Sequence, residues 1–274
     1  MMASCDYIDP VTKASSDAGD TFKVSVACDD NAVKKKWHFD VFSNDNDDIS
    51  HYYSEDECIM LERQNASILI YNDNTERTKV KSDYDNWIVY ATTDITSEVM
   101  HIVGQPLYYM PDMLYSTYIE MGEFNGSSAM VTLSPRVFKY DIDFLLHDEK
   151  NRVRSCGEAY VVGMAQSVDL ITNRKSEETV AMVFAASCSP DRHVTGQFTT
   201  FGAKEGKTVT CVLQLLLQDG SRKYVTLDIS EQVATNPSGG TIKADVNVEE
   251  DVAGGTDETV AVEPRDSDNI HIGL

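Results

Sequence analysis

Hydrophobic and polar positions alternate most regularly between Thr208 and Ile229. Val209, Cys211, Leu213, Leu215 and Leu217 alternate with Thr210, Gln214 and Gln218, and Val225, Leu227 and Ile229 then alternate with Thr226 and Asp228. Period-two runs on both sides of Asp219-Gly220 predict an antiparallel hairpin. The loop length decides its register. A two-residue loop would set Leu213 against Thr226 and split the two apolar rows onto opposite faces. A three-residue loop of Gln218, Asp219 and Gly220 pairs Leu213 with Val225, Cys211 with Leu227 and Val209 with Ile229. It also gives Gly220 the left-handed position such loops require, so this is the register expected.

The same period recurs along the chain. Phe22, Val24, Val26 and Cys28 alternate with polar or small residues, and a second strand places Trp37, Phe39 and Val41 inward with His38 and Asp40 outward. Ser43 to Ser50 reads as a polar loop. Strands follow over Ala66 to Tyr71 and Trp87 to Ala91, joined by the polar segment Asn72 to Asp85. Further on, Phe138 to Leu146, residues 159–164, 180–186 and 196–201, and Ile242 to Val248 repeat the pattern. Short strands with turn signals between them, and no amphipathic helix able to cover a sheet, predict an all-β protein of two tandem antiparallel β-sandwiches. The divisions expected are a tether over 1–20, a first sandwich over 21–97, a linker over 98–126 and a second sandwich over 127–274. Residues 249–268 are acidic and Gly-rich and read as a loose crossing before a last short strand around Ile270 and Ile272.

Charge narrows the partners. With 23 Lys plus Arg against 45 Asp plus Glu, the net charge is −22, which argues against nucleic acid and anionic lipid surfaces. The acid reads mainly as a soluble, self-repelling surface. No run approaches the ~18 apolar residues of a membrane-spanning helix. Cysteines stand at 5, 28, 58, 156, 188 and 211 without any C-x-x-C, so their spacing assigns no disulfide and no zinc site. Cys28 and Cys211 fall on apolar sides of strands, where a thiol behaves as a small hydrophobe. Met1-Met2-Ala3-Ser4-Cys5 before the acidic Asp6-Tyr7-Ile8-Asp9 has the look of the end of a lipoprotein cleavage site, or of an ordinary N-terminus with a chance cysteine.

Catalytic chemistry finds no constellation. The histidines at 38, 51, 101, 147, 193 and 271 are scattered without paired spacing, and neither a G-x-S-x-G elbow nor a Gly-rich phosphate loop occurs. Asn44 to Asp48 has the acid density of a calcium loop, but Ser50 and Asp56 stand where an EF-hand needs Gly and Glu. No catalytic residue, no cofactor and no metal ligand is therefore expected. Leu107 to Phe124, with Tyr108, Tyr109, Tyr115 and Tyr118, is either an aromatic contact patch for sugar or protein or packing between the two units. Packing is the favoured reading.

Four blocks in fixed order carry a resemblance: Tyr71-Asn72-Asp73-Asn74-Thr75-Glu76, Met110-Pro111-Asp112-Met113-Leu114-Tyr115, Gly163 to Leu170, and Thr195 to Gly202. Together they resemble the fimbrillin-like outer-membrane lipoproteins of Bacteroidales, a group known mainly as a domain of unknown function and akin to minor fimbrial anchor subunits. The resemblance spans about residues 20 to 274. It implies two tandem transthyretin-like sandwiches, a lipid anchor on Cys5, a place at the outer membrane and a role in adhesion or assembly. The hydrophobic core of the lipoprotein signal is expected upstream of Met1.

Two functions follow from that resemblance. One is a structural or anchoring subunit of a fimbria, joined to other fimbrial subunits by strand addition. Ile270, Ile272 and Leu274 are then the segment that fills a groove or is handed on. The other is a stand-alone surface lipoprotein that binds glycan or host protein. An enzyme is not expected.

Overall fold

The computed structural model describes residues 21–28, 36–43, 48–56, 58–62, 66–97, 102–120 and 128–248. The first strands are β1 (Thr21–Ala27), β2 (Trp37–Ser43), β3 (Ile49–Ser54), β4 (Cys58–Glu62) and β5 (Ala66–Asn72). Then come β6 (Lys79–Asp83), β7 (Ile88–Thr92), β8 (Ile95–Ser97), β9 (Leu107–Tyr108) and β10 (Tyr115–Glu120). The second half opens with β11 (Ser128–Thr132), β12 (Ser134–Pro135), β13 (Phe138–His147), β14 (Val153–Ala165) and β15 (Ser167–Asp169). It continues with β16 (Thr179–Cys188), β17 (His193–Thr200), β18 (Thr210–Leu217), β19 (Arg222–Asp228) and β20 (Gly240–Asn247). Among the described residues a 3-10 turn (Tyr84–Asn86) and a short α-helix, α1 (Ser230–Thr235), interrupt them. The chain is all-β, as its alternation predicts.

The first sandwich stacks the sheet β11-β1-β4 on the sheet β12-β10-β5-β2-β3. Phe22, Val24, Trp37, Phe39, Ile59, Ile68 and Ile70 fill the space between them. Strand β11 runs parallel to β1, with Val24 opposite Ala129 and Val26 opposite Val131. The segment after residue 127 thus begins by completing the first sheet. Within 98–126, β10 pairs with β5 of the first sandwich while β9 pairs with β16 of the second, so this stretch supplies strands to both units.

The second unit follows one long path, β19-β18-β14-β16-β17-β13-β20. Strand β16 turns the corner: Thr179 to Ala185 pair with β14, and Ala186 to Cys188 pair with β17. Tyr140, Ile142, Phe144, Met182, Phe198, Cys211, Leu213 and Leu215 meet between the two layers this creates. The β18–β19 hairpin has the register expected, with Leu213 opposite Val225 and Cys211 opposite Leu227. The Ile229 amide donates to the Val209 carbonyl at 2.9 Å, and Gly220 sits at φ +87°. In β14 the ladder slips at Gly163, whose φ is +92°; a Cβ there would lie 2.1 Å from the Thr208 carbonyl oxygen. Only glycine fits that bulge.

A third layer joins the units. Strand β7 pairs with β6 on one side and with β15 of the second unit on the other, and Phe42, Leu69, Tyr71, Val89, Leu114, Val168 and Phe201 form one buried cluster beneath them. This layer corrects the expectation for β2. His38 and Asp40 do not face solvent: every residue of that strand is buried, because both faces of its sheet are covered. The stretch Asn72 to Asp85, read as a polar connection, contains β6, and β3 begins at Ile49, inside the loop expected over Ser43 to Ser50. Of the cysteines, Cys211 is buried and Cys28, Cys156 and Cys188 are half-buried. Among the described residues, no helix is long and apolar enough to cross a membrane.

Candidate functional site

Strand β2 lies between β3 and β5, and its residues 38, 40 and 42 face the third layer while 37, 39 and 41 face the sandwich core. Register then assembles a cluster. Asp40 stands opposite His51 of β3, and His38 stands between Tyr53 of β3 and Tyr71 of β5. His38 Nε2 lies 2.8 Å and His51 Nδ1 2.6 Å from the same oxygen, Asp40 Oδ1. Asp40 has no exposed surface, and its second oxygen, Oδ2, is buried with no hydrogen-bond partner. An unsatisfied buried acceptor of this kind costs about 1–3 kcal/mol, more when it is charged.

Aromatic rings wall the cluster. The His38 ring stacks on Tyr71 at 4.6 Å between centroids and meets Tyr53 edge-on at 4.4 Å; His51 lies 5.7 Å from Tyr84. Burial, and then the nearby Asp40 carboxylate, push the Tyr71 hydroxyl far above its ordinary value, so it remains a neutral phenol. Burial also raises Tyr84, against a hydrogen bond with Ser82 that lowers it, and Asp40 adds to the rise. His51 opens the cluster outward, its side chain 42% exposed. Chemically this is two imidazole nitrogens and a carboxylate converging from adjacent strands. The sequence conceals it because 38 and 51 are joined only by cross-strand pairing, although the alternation His38-x-Asp40 was a usable signal.

A separate cleft of about 430 Å³ opens where β7 and β8 meet the second unit. Tyr90, Asp94, Tyr108, Gln166 and Glu178 line it, and Gln166 Nε2 donates to the Tyr108 hydroxyl at 2.6 Å. The four tyrosines singled out from the sequence do not share one surface. Tyr108 lines this cleft, while Tyr109 is 45% exposed beneath the Arg77 guanidinium, 5.5 Å from its ring. Tyr115 is buried in the first core, and Tyr118 packs against the third-layer cluster. Cys5, Ile270, Ile272 and Leu274 lie outside the described residues.

The arrangement is that of a two-sandwich β protein with a shared third layer. Solved structures of similar fold exist. A candidate adhesin of Bacteroides ovatus shares 16% identity over 90% of this chain and 98% of its own, with a TM-score of 0.64. A second from the same species gives 8% identity over 84% and 91%, with a TM-score of 0.55. A fimbrial anchor protein of Porphyromonas gingivalis gives 11% identity over 82% and 90%, with a TM-score of 0.51. These proteins and this chain have one fold, in agreement with the resemblance carried by the four sequence blocks. No family profile and no curated protein sequence matches the chain.

Proposed function

We propose that this chain is a non-enzymatic component of a bacterial cell surface that builds or anchors a fimbria. The fold it has in common with a fimbrial anchor protein and with candidate adhesins carries the reading. An edge strand supports it. Strand β11 ends its sheet, contains no charged residue, and holds Met130 at 79% exposure. Edges left uncharged accept further strands, and the outer β19, with Arg222 and Lys223, is by contrast protected.

In this reading the units at 21–97 and 127–274, linked by 98–126, are transthyretin-like modules of an outer-membrane lipoprotein. Cys5 carries the acyl chains, Asp6 to Asp20 tether the body, and the segment of Ile270, Ile272 and Leu274 supplies or receives a strand between fimbrial subunits. The test is deletion of the gene in the native host with fimbriae imaged, alongside fatty-acid labelling of the wild type and of Cys5→Ala. Unaltered fimbriae would sink the structural role, and label persisting in Cys5→Ala would sink the anchor.

The cleft favours a second reading. Two tyrosines beside Asp94, Gln166 and Glu178 offer apolar faces and polar groups of the kind that hold a sugar ring. Glycan binding that disappears in Tyr108→Ala, in a host whose fimbriae do not need the gene, would make the chain a stand-alone glycan-binding lipoprotein.

A further inference from the structure

We infer that His38, Asp40 and His51 form a binding site for a divalent transition-metal ion of the zinc class. The three ligand atoms, His38 Nε2, His51 Nδ1 and an Asp40 oxygen, lie within 4.8 Å of one another. Ligands about 2.0–2.1 Å from a tetrahedral zinc stand about 3.3 Å apart, so side-chain shifts of around an ångström bring the set to geometry.

The unpartnered Asp40 Oδ2 is the independent observation. Asp40 is wholly buried, and both hydrogen bonds to its carboxylate come from imidazoles on one oxygen. A carboxylate out of water needs a compensating positive charge and partners for both oxygens. A metal ion supplies the charge and can engage Oδ2. Its binding takes the imidazole nitrogens as lone-pair donors, so the proton each now donates to Asp40 moves to the other ring nitrogen or to solvent. The ligand set decides the class of ion. Two nitrogens and one carboxylate suit zinc and its neighbours, whereas calcium and magnesium seek shells of oxygen.

The scaffold is suited to the task. His38 and Asp40 are two apart on a central strand, and Asp40 and His51 are directly paired, so backbone register fixes all three Cα positions. Tyr71 stacked on His38 holds that ring, and the exposed flank of His51 gives an entry path with room for water as a fourth ligand. The bound ion would fasten β3, the edge strand, to its neighbour β2.

Titration of the full chain with zinc chloride under reducing conditions tests this. One equivalent should bind and raise the unfolding midpoint, and magnesium should do neither. Cobalt in its place should give d–d bands without a thiolate charge-transfer band, which separates this site from Cys28, Cys156 and Cys188. His51→Ala, at the exposed position, should lose the equivalent and the shift while keeping the wild-type circular dichroism. Absorption fine structure of the zinc-loaded wild type should show two imidazoles and no sulfur, which tests the ligand set even if the variant misfolds. No binding, binding undiminished in a folded His51→Ala, or sulfur ligation would each overturn the assignment.

Discussion

The side-chain oxygen of Asn72 accepts a hydrogen bond from the backbone nitrogen of Tyr115 at 2.6 Å, tying the end of β5 to the start of β10. The Asn72 amide nitrogen donates to Asn74 Oδ1 at 2.8 Å and to the Met113 carbonyl at 3.1 Å. Asp112 Oδ2 accepts from the Glu76 and Arg77 amides, so the first two sequence blocks clasp each other. The other two join them. Thr199 Oγ1 donates to the Pro111 carbonyl at 2.6 Å, and the Ala165 amide donates to the Gly202 carbonyl at 3.0 Å. The four blocks that carried the resemblance are therefore one junction, where several chain segments must be satisfied at once.

Asn72→Ala removes three hydrogen bonds and leaves the buried Tyr115 amide without its partner. The expected loss is about 1–3 kcal/mol from the unsatisfied group, with a smaller addition from the space left behind. Urea denaturation of the variant measures it. A loss under about half a kilocalorie, the range of ordinary surface changes, would show that the clasp does not hold the junction.

Leu213→Ala probes the second core. Leu213 has no exposed surface and lies among Cys211, Leu215 and Val225, so truncation should cost about 2–5 kcal/mol. Leu213→Met keeps most of the volume and should cost under about 1.5 kcal/mol. Equal losses for both would mean that volume is not what matters there.

These two positions mark what was legible in the sequence. Leu213 sits in a strand with polar breaks and a turn that allows only one sensible register, so pattern alone placed it. Strand β2 resisted the same reading because burial of both faces leaves no solvent side, and polar His38 and Asp40 imitate one. Strand β3, with two serines, a histidine and two tyrosines, has too little apolar contrast to register as a strand. Its pairing with β2 is what assembles His38, Asp40 and His51. In a site made by register between these two strands, only the His38-x-Asp40 half shows as a spacing, and His51 does not. Strand β11 escaped for another reason: parallel pairing with β1 joins residues about a hundred positions apart.

Acid should weaken the second unit through Asp148. Burial alone would raise its pKa, but the Val153 and Arg152 amides, at 2.7 and 2.9 Å, and the charges of Arg192 and Arg152 outweigh it and hold the carboxyl below the usual aspartate range. A group depressed on folding contributes stability that is fully present above its unfolded pKa and is lost as pH falls through the folded one. Wild-type unfolding followed from neutral pH downward should therefore steepen in its loss below the ordinary aspartate range. Asp148→Asn should be less stable at neutral pH and flatter in acid. Parallel curves for the two proteins would remove this assignment.

Met130→Lys separates folding from assembly. Met130 is exposed on an edge, so the change should move stability by no more than about 0.5 kcal/mol. A charge on that strand should nevertheless block addition of a neighbouring strand, and incorporation of the chain into fimbriae should fall. Normal incorporation of the lysine variant would move the partner surface away from β11.

The two sandwiches should unfold as one body. Most paired domains meet through modest, polar contacts and can melt separately. Here Ser167, Val168 and Asp169 of β15 ladder onto Thr92, Ala91 and Tyr90 of β7, and the Leu170 amide donates to the Val89 carbonyl at 2.7 Å. Beneath that ladder Val168, Leu170 and Phe201 from the second unit are fully buried against Phe42, Leu69 and Val89 from the first. Opening the interface would expose apolar side chains and an unpaired strand edge together, so an isolated first or second sandwich is costly to reach. Calorimetry of the wild type should show a single transition whose calorimetric and van't Hoff enthalpies agree. Val168→Asp buries a charge with no partner and should split the transition in two as well as lowering it. Two transitions already present in the wild type would mean that the third layer packs the units together without coupling them.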